Sequence, residues 1–195
     1  MPDNLNILAI CGSTRTFSSN LNLLKAIAVL AGDFFDLHFY DGLTALPPFN
    51  PDLDENQPPA EVARFREQVK AADAVIICTP EYAGGVPGAL KNAIDWGVSA
   101  MTFSPKPVAL ITASTAGSMG HQSLLGTLLI IESSITAETQ LLIPAVRTKV
   151  GSDAKITDPA TLDQVIQLIV VLKEMVGDGK KEVRELQYLT HPPVH

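Results

Sequence analysis

A cluster of polar side chains follows an apolar run near the beginning of the chain. The apolar run covers residues 5–11, and the cluster comprises Ser13, Thr14, Arg15, Ser18, Ser19 and Asn20. A polar loop between a strand and a helix is a common phosphate site, because backbone N–H groups, hydroxyls and a guanidinium satisfy the phosphate oxygens. The loop has neither a Gly-x-Gly-x-x-Gly nor a Gly-Lys-Ser/Thr pattern, which favours a phosphate monoester over a pyrophosphate. The alternative is an ordinary helix cap beside a surface arginine.

Two further loops have residue types that suit a planar ligand. The candidate contacts are Pro80, Glu81, Tyr82, Ala83, Ser114 and Gly117. The loop after residue 79 can place a flat ring and bare glycine backbone against such a ligand. The segment 114–120 offers several backbone N–H groups at a helix start, which could hold the edge of a ring that becomes anionic on reduction. The alternatives are a plain turn with an exposed tyrosine for the one loop and a flexible connection for the other.

A regular alternation of strands and helices positions these loops. Apolar runs predict strands over 5–11, 35–40, 74–79, 108–113 and 140–143. Helical periodicity predicts helices over 20–31, 60–71, 87–96, 121–134 and 161–176. Residues 41–59 carry five prolines and no periodicity, so we expect a long functional loop there.

The alternation indicates an α/β fold with a parallel sheet between two layers of helices. Five strands with a phosphate loop after the first fit the order 2-1-3-4-5. Strands one, three and four are neighbours in that order, and each candidate loop follows one of them. We therefore expect the three loops to meet in the crevice at the carboxyl edge of the sheet.

Length and charge limit the possible classes of protein. The chain has 195 residues, of which 46% are hydrophobic, so we expect one globular domain over 1–195 with a peripheral tail from about residue 180. The net charge of −7 and the lack of a Lys/Arg cluster argue against nucleic acid and anionic membranes as partners. The sequence has no recognisable secretory signal, no membrane-spanning stretch and only two cysteines, which favours the cytoplasm. No Cys/His spacing predicts a metal site.

Three smaller signals allow more than one interpretation. Cys11 and Cys78 end neighbouring strands, where we expect small buried hydrophobes rather than a redox pair. His121 begins the helix after the third loop and is either a capping or exposed residue or a ligand contact. The segment 124–131 is apolar on nearly every side, so either the sheet and the helix after the third strand cover it or a second subunit does, and we favour the second subunit.

Three segments resemble a known family. The stretch Gly12–Asn20 is similar to the Gly-Ser-x-Arg-x-x-Ser-x-Asn signature of NAD(P)H-dependent FMN reductases. Pro80-Glu81-Tyr82 together with residues 87–96 resembles the second signature of that family, and residues 46–53 resemble its loop after the second strand. The resemblance covers roughly residues 5–135. It implies a flavodoxin-like fold, bound FMN and a dimer or tetramer.

The resemblance also implies roles for particular residues. Ser13, Arg15, Ser18, Ser19 and Asn20 would hold the FMN phosphate, while Pro80, Glu81, Tyr82, Ala83, Ser114 and Gly117 would line the ring. The family usually has Asn at position 83 and often Gly at position 121, where this chain has Ala83 and His121. An arginine that is common in the following helix is missing from residues 124–131.

The implied activity is the oxidation of NADH or NADPH, with electrons passed through FMN to a flavin, a quinone or a related small acceptor. No protein residue is expected to act as a catalytic acid or base. The alternatives are a flavodoxin-type FMN electron carrier that does not oxidise nicotinamide, and a flavin-free binding protein on the same fold.

Overall fold

The central sheet has five parallel strands in the order β2-β1-β3-β4-β5. The computed structural model describes residues 4–177, except the side chain of Asn56. The strands are β1 (Leu5–Cys11), β2 (Phe35–Tyr40), β3 (Ala74–Thr79), β4 (Val108–Ala113) and β5 (Gln140–Ile143). The predicted strands and their order are confirmed. The predicted tail beyond residue 180 lies outside the described residues.

Helices cover both faces of the sheet. They are α1 (Ser19–Leu30), α2 (Pro51–Asn56), α3 (Ala60–Ala71), α4 (Gly88–Val98), α5 (Ser118–Ile130) and α6 (Pro159–Gly177). One apolar core lies between the sheet and α1 with α6, and a second lies between the sheet and α3, α4 and α5. All six residues of β3 and of β4 are buried, which explains their unbroken apolar runs, because a strand covered on both faces needs no polar side.

Two predictions, one of a loop and one of a helix, differ from the structure. Residues 41–59 are not a continuous loop, since they contain α2, which Asn50 caps by accepting a hydrogen bond from the Asp52 N–H at 3.0 Å. Asn before Pro is a helix-start signal that the sequence contained. Helix α5 begins at Ser118, three residues before the predicted start, and ends at Ile130 rather than at residue 134.

The segment after β2 is anchored to the body of the protein. The Asn92 amide and the Trp96 indole both donate to the Pro47 carbonyl, at 2.9 and 2.7 Å. In α2, the Asp54 carboxylate lies 2.5 Å from an Arg66 Nη2 and accepts a hydrogen bond from the Ser99 hydroxyl. The Asp54 and Arg66 side chains are only 7% and 12% exposed, so this ion pair is shielded from water. The segment is therefore a fixed part of the fold.

Substitution of Gly12 should destabilise the protein, because the backbone at the end of β1 lies against buried side chains. A Cβ at this position would lie 2.8 Å from Thr79 Cβ and 2.9 Å from Leu90 Cδ2. We expect Gly12→Ala to lower the free energy of unfolding by about 1–3 kcal/mol. The control is Gly88→Ala, where an added Cβ meets nothing within 4 Å. Urea denaturation of both variants tests this, and equal stability of the two would contradict the close packing.

Asp54 should contribute stability that depends on pH. Burial raises the pKa of its carboxyl, but hydrogen bonds from Ser99 and Arg66 and the Arg66 charge outweigh burial and hold that pKa below its usual value. The stability that Asp54 contributes is therefore fully present above the pKa of the carboxyl in the unfolded chain, about 3.9. It is lost as the pH falls through the lower pKa that the carboxyl has in the folded protein.

We expect Asp54→Asn to lower the free energy of unfolding at neutral pH by about 3 kcal/mol, because it leaves the Arg66 charge without its partner. The difference from wild type should shrink in strong acid. Asp153→Asn is the control, since Asp153 belongs to an exposed pair with Lys155 at 3.3 Å and should change stability little. If Asp54→Asn lowered the free energy of unfolding by the same amount at neutral pH and in strong acid, this result would count against a stabilising charged pair.

Candidate functional site

The three candidate loops meet at the carboxyl edge of the sheet, as predicted. They surround a cleft of about 330 Å³. Most of the predicted site residues line it. These are Ser13, Arg15, Ser18, Ser19, Asn20, Pro80, Glu81, Tyr82 and Ser114. Ala83 and Gly117 belong to the loops but are not among the residues that line the cleft.

The first loop presents the start of α1 to the cleft. Ser18 is the N-cap of α1, and its hydroxyl accepts a hydrogen bond from the Leu21 N–H at 3.4 Å. The Ser13 hydroxyl faces the Arg15 N–H at 3.5 Å, which is the outer limit of a hydrogen bond. The exposed Arg15 guanidinium has no ion-pair or hydrogen-bond partner within residues 4–177. A helix N-terminus, hydroxyls and an unpaired cation together make an anion-binding environment.

Asn20 has a structural role that its residue type did not reveal. Its side chain is buried, donates to the Ala113 carbonyl at 3.1 Å and accepts from the Cys78 thiol at 3.3 Å. Burial raises the pKa of the Cys78 thiol well above its usual value, so the thiol keeps its proton and remains a donor. Asn20 therefore ties the first loop to the ends of β3 and β4, and its amide retains one N–H for a ligand.

The second loop is a tight turn. Tyr82 and Gly85 exchange backbone hydrogen bonds of 3.0 and 2.9 Å around Ala83 and Gly84. Both central residues have positive φ, at 51° and 74°, which is the pattern of a type I′ turn. The Glu81 carboxylate accepts a hydrogen bond from the Gly120 N–H at 2.7 Å, which joins this turn to the start of α5. The Tyr82 ring is about half exposed and lines the cleft.

The third loop depends on a glycine. Gly117 caps α5 with a φ of 101°, and a Cβ there would lie 3.0 Å from both Leu142 Cδ1 and Thr112 Cγ2. In the first turn of α5, His121 Nδ1 lies 2.9 Å from the Thr112 hydroxyl, and burial lowers the pKa of this imidazole. His121 is therefore a partly buried partner of Thr112, neither a cap nor an exposed residue, and it does not line the cleft.

Sequence analysis missed a fourth wall of the cleft. It is formed by Ala145, Val146, Arg147 and Thr148, which follow β5 and include a short 3-10 turn. The available signal was position alone, since every segment that follows a strand of this parallel sheet begins at the same carboxyl edge. Phe17, which is 90% exposed in the first loop, also lines the cleft and was not singled out.

The cleft is positively charged although the protein is acidic. The charged residues that line it are Arg15, Arg147 and Glu81, whereas the chain as a whole has a net charge of −7. Among residues 4–177 no group of three or more His, Cys, Asp or Glu side chains could hold a metal ion. No helix in the same part of the chain is long and apolar enough to cross a bilayer. The two arginines that line the cleft suit an anionic ligand.

Fold and cleft together define a flavodoxin-like α/β protein with an anion-binding loop after its first strand. A family model described as NADPH-dependent FMN reductase matches residues 5–146. The chain belongs to this family.

Individual relatives agree with this assignment. An NAD(P)H-dependent FMN reductase of Pseudomonas aeruginosa is 31% identical over 179 residues, which cover 89% of this chain and 96% of that protein. A quinone reductase of Escherichia coli K12 is 27% identical over 184 residues, or 90% of this chain and 97% of that protein. The structure of FerB, a flavoenzyme NAD(P)H:(acceptor) oxidoreductase from Paracoccus denitrificans, is similar with a TM-score of 0.80, 26% identity and coverage of 89% of this chain and 98% of that chain.

Removal of the Asn20 side chain should destabilise the protein, because this side chain connects the first loop to the ends of β3 and β4. Asn20→Ala leaves the buried Ala113 carbonyl and the Cys78 thiol without their partners, so we expect the free energy of unfolding to fall by about 1–3 kcal/mol. The matched control is Ser19→Ala on the same turn, because no hydrogen bond involves the Ser19 hydroxyl in the described chain. Thermal or urea denaturation measures both, and an Asn20 variant as stable as the Ser19 variant would refute the bridging role.

Proposed function

We propose that the protein is an NAD(P)H-dependent oxidoreductase that binds FMN in the cleft and reduces a flavin, a quinone or a related small acceptor. The observation that carries the proposal is the unpaired Arg15 beside the N-terminus of α1, in a member of the FMN reductase family. The names of the relatives, FMN reductase and quinone reductase, support an enzyme over an electron carrier that does not oxidise nicotinamide.

The residues around the cleft fit the parts of FMN. The Ser13 and Ser18 hydroxyls, the Arg15 guanidinium and the first N–H groups of α1 are suited to its phosphate. Ser19 and the remaining N–H of Asn20 add further donors at the same end. For the ring we assign Pro80, Glu81, Tyr82 and Ser114, which line the cleft, and we keep Ala83 and Gly117 as members of the same two loops that do not line it in this structure.

FMN, when bound, supplies the redox chemistry by taking a hydride from NADH or NADPH and passing electrons to the acceptor. The protein's own contribution is binding and orientation. The rigid turn at Tyr82–Gly85 and the hydrogen bond from Gly120 to Glu81 hold the second loop in place. Ser114 and Thr115 of the third loop line the same cleft. The Ser114 N–H donates to the Ile143 carbonyl, so we assign the stabilisation of negative charge on a reduced ring to the backbone N–H groups that follow it. We assign no protein residue as an acid or base.

We also propose a homodimer or homotetramer that works in the cytoplasm. Within residues 124–131, Leu124 and Leu128 are buried in the subunit, but Ile130 is 74% exposed. Val98 and Met101 are exposed large apolar residues as well. Apolar side chains exposed in this way are suited to contact with another copy of the chain. Gel filtration of the purified protein tests the oligomeric state.

Activity can be tested directly with purified protein. The protein is mixed with FMN and NADPH, and the absorbance of the reduced nicotinamide is followed with and without a quinone. The proposal predicts NADPH consumption that accelerates when the quinone is added. Bound FMN that NADPH does not reduce would indicate an electron carrier instead, and a protein that does not bind FMN would indicate a flavin-free binding protein.

Arg15 should contribute to the binding of FMN but not of riboflavin, which lacks the phosphate. We expect Arg15→Ala to weaken FMN binding by about 1.5–3 kcal/mol, the usual value of a hydrogen bond to a charged group. Quenching of flavin fluorescence measures the affinity. Arg64→Ala is the control, because Arg64 is an exposed arginine outside the cleft. If the Arg15 variant bound FMN as tightly as the Arg64 variant, this result would show that Arg15 does not bind the phosphate.

A further inference from the structure

The turn after β5 is held firmly against the cleft. The Ala145 N–H donates to the Thr115 carbonyl at 3.1 Å, and the Val146 N–H donates to the Ser114 carbonyl at 3.2 Å. The Val146 side chain is 5% exposed and anchors the turn in the core between the sheet and α6. Ala145 has a φ of 52°, a conformation that costs free energy and that the surrounding bonds maintain. The backbone that presents Arg147 is therefore fixed by the third loop.

The segment that follows the turn is also tied to the helix that begins at the first loop. The Asn22 side chain of α1 donates to the Gly151 carbonyl at 3.1 Å. The turn at residues 146–148 and the N-terminal part of α1 are therefore neighbours in the same layer, and both border the cleft. Arg147 lines this cleft together with Arg15 of the first loop.

Arg147 has no counter-charge among the residues that the structure describes. Its guanidinium forms no ion pair or hydrogen bond within residues 4–177, and the same holds for Arg15. The one acidic residue that lines the cleft, Glu81, belongs to the second loop and already accepts a hydrogen bond from Gly120. Two arginines that form no ion pair within the described chain thus line one cleft, against one carboxylate, in a chain of net charge −7. Such a concentration of charge favours an anion with more than one negative charge.

We propose that Arg147 is a second phosphate-binding cation, which together with Arg15 binds the doubly charged phosphate monoester of FMN. The inference rests on the proposed FMN site and adds to it a residue and a basis for selectivity. A phosphate monoester carries a charge between about −1.5 and −2 at neutral pH, with a second pKa of about 6. Two guanidiniums match that charge. Riboflavin has no phosphate and gains nothing from either arginine.

Arginine suits this position better than lysine. A guanidinium offers a planar set of donors that can contact two phosphate oxygens at once, whereas an ammonium acts as a point charge. A lysine at position 147 should therefore preserve part of the effect. The substitution Arg147→Lys separates the contribution of charge from that of the forked geometry.

The test is a titration of apoprotein with FMN and with riboflavin, followed by flavin fluorescence. The proteins are wild type, Arg147→Ala, Arg147→Lys, Arg15→Ala and the control Arg64→Ala. We expect Arg147→Ala to weaken FMN binding about 10- to 100-fold and to leave riboflavin binding unchanged. Arg147→Lys should lie between wild type and Arg147→Ala. The loss at Arg147→Ala should become smaller between about pH 7.5 and about pH 5, where the phosphate gains a proton.

Each other outcome overturns the assignment in a recognisable way. Equal weakening of FMN and riboflavin would mean that Arg147 supports the cleft rather than the phosphate. Unchanged FMN affinity with a raised KM for NADPH would assign the cation to the nicotinamide co-substrate. If Arg15→Ala loses FMN affinity and Arg147→Ala does not, this inference fails while the proposed function stands. If wild type binds no FMN, both fail.

Discussion

The buried amide of Asn20 is the interaction on which the geometry of the cleft depends. It joins the start of α1 to the ends of β3 and β4 through the Cys78 thiol and the Ala113 carbonyl. Those two strands lead directly into the second and third loops, so one side chain sets the first loop against both. An unpaired buried amide would be costly, which gives this arrangement its rigidity. Binding groups on three separate segments thus keep a common geometry without a ligand.

The residues that line the cleft come from loops that carry different chemical groups. The first loop and the turn after β5 contribute the cations, Arg15 and Arg147. The second loop contributes the flat Tyr82 ring and a carboxylate, Glu81, that is held by the Gly120 N–H. In the proposed function, the cations bind the phosphate of FMN and the second loop contacts its planar ring. The proposed oxidoreductase activity follows from this binding of FMN and from the family to which the chain belongs.

The sheet was predictable because unbroken apolar runs such as β3 and β4 are typical of strands that are covered on both faces. The meeting of three loops was predictable because the carboxyl ends of parallel strands share one edge. Three features were not predictable. The turn at Arg147 carries no motif and depends on hydrogen bonds to Ser114 and Thr115, which are distant in sequence. The Asn20 amide forms buried hydrogen bonds with Ala113 and Cys78, and the same amide could also bind a phosphate. The residue type alone therefore could not distinguish a structural role from a ligand-binding role. His121 pairs with the Thr112 hydroxyl and does not line the cleft.

A crystal structure of the protein with FMN would show whether the cleft binds the cofactor and in which orientation. We expect the phosphate to lie against the first loop, in contact with Ser13, Ser18 and Arg15, and the flavin ring to lie beside Tyr82. A flavin bound elsewhere on the surface, or a phosphate that points into solvent away from the start of α1, would contradict this expectation.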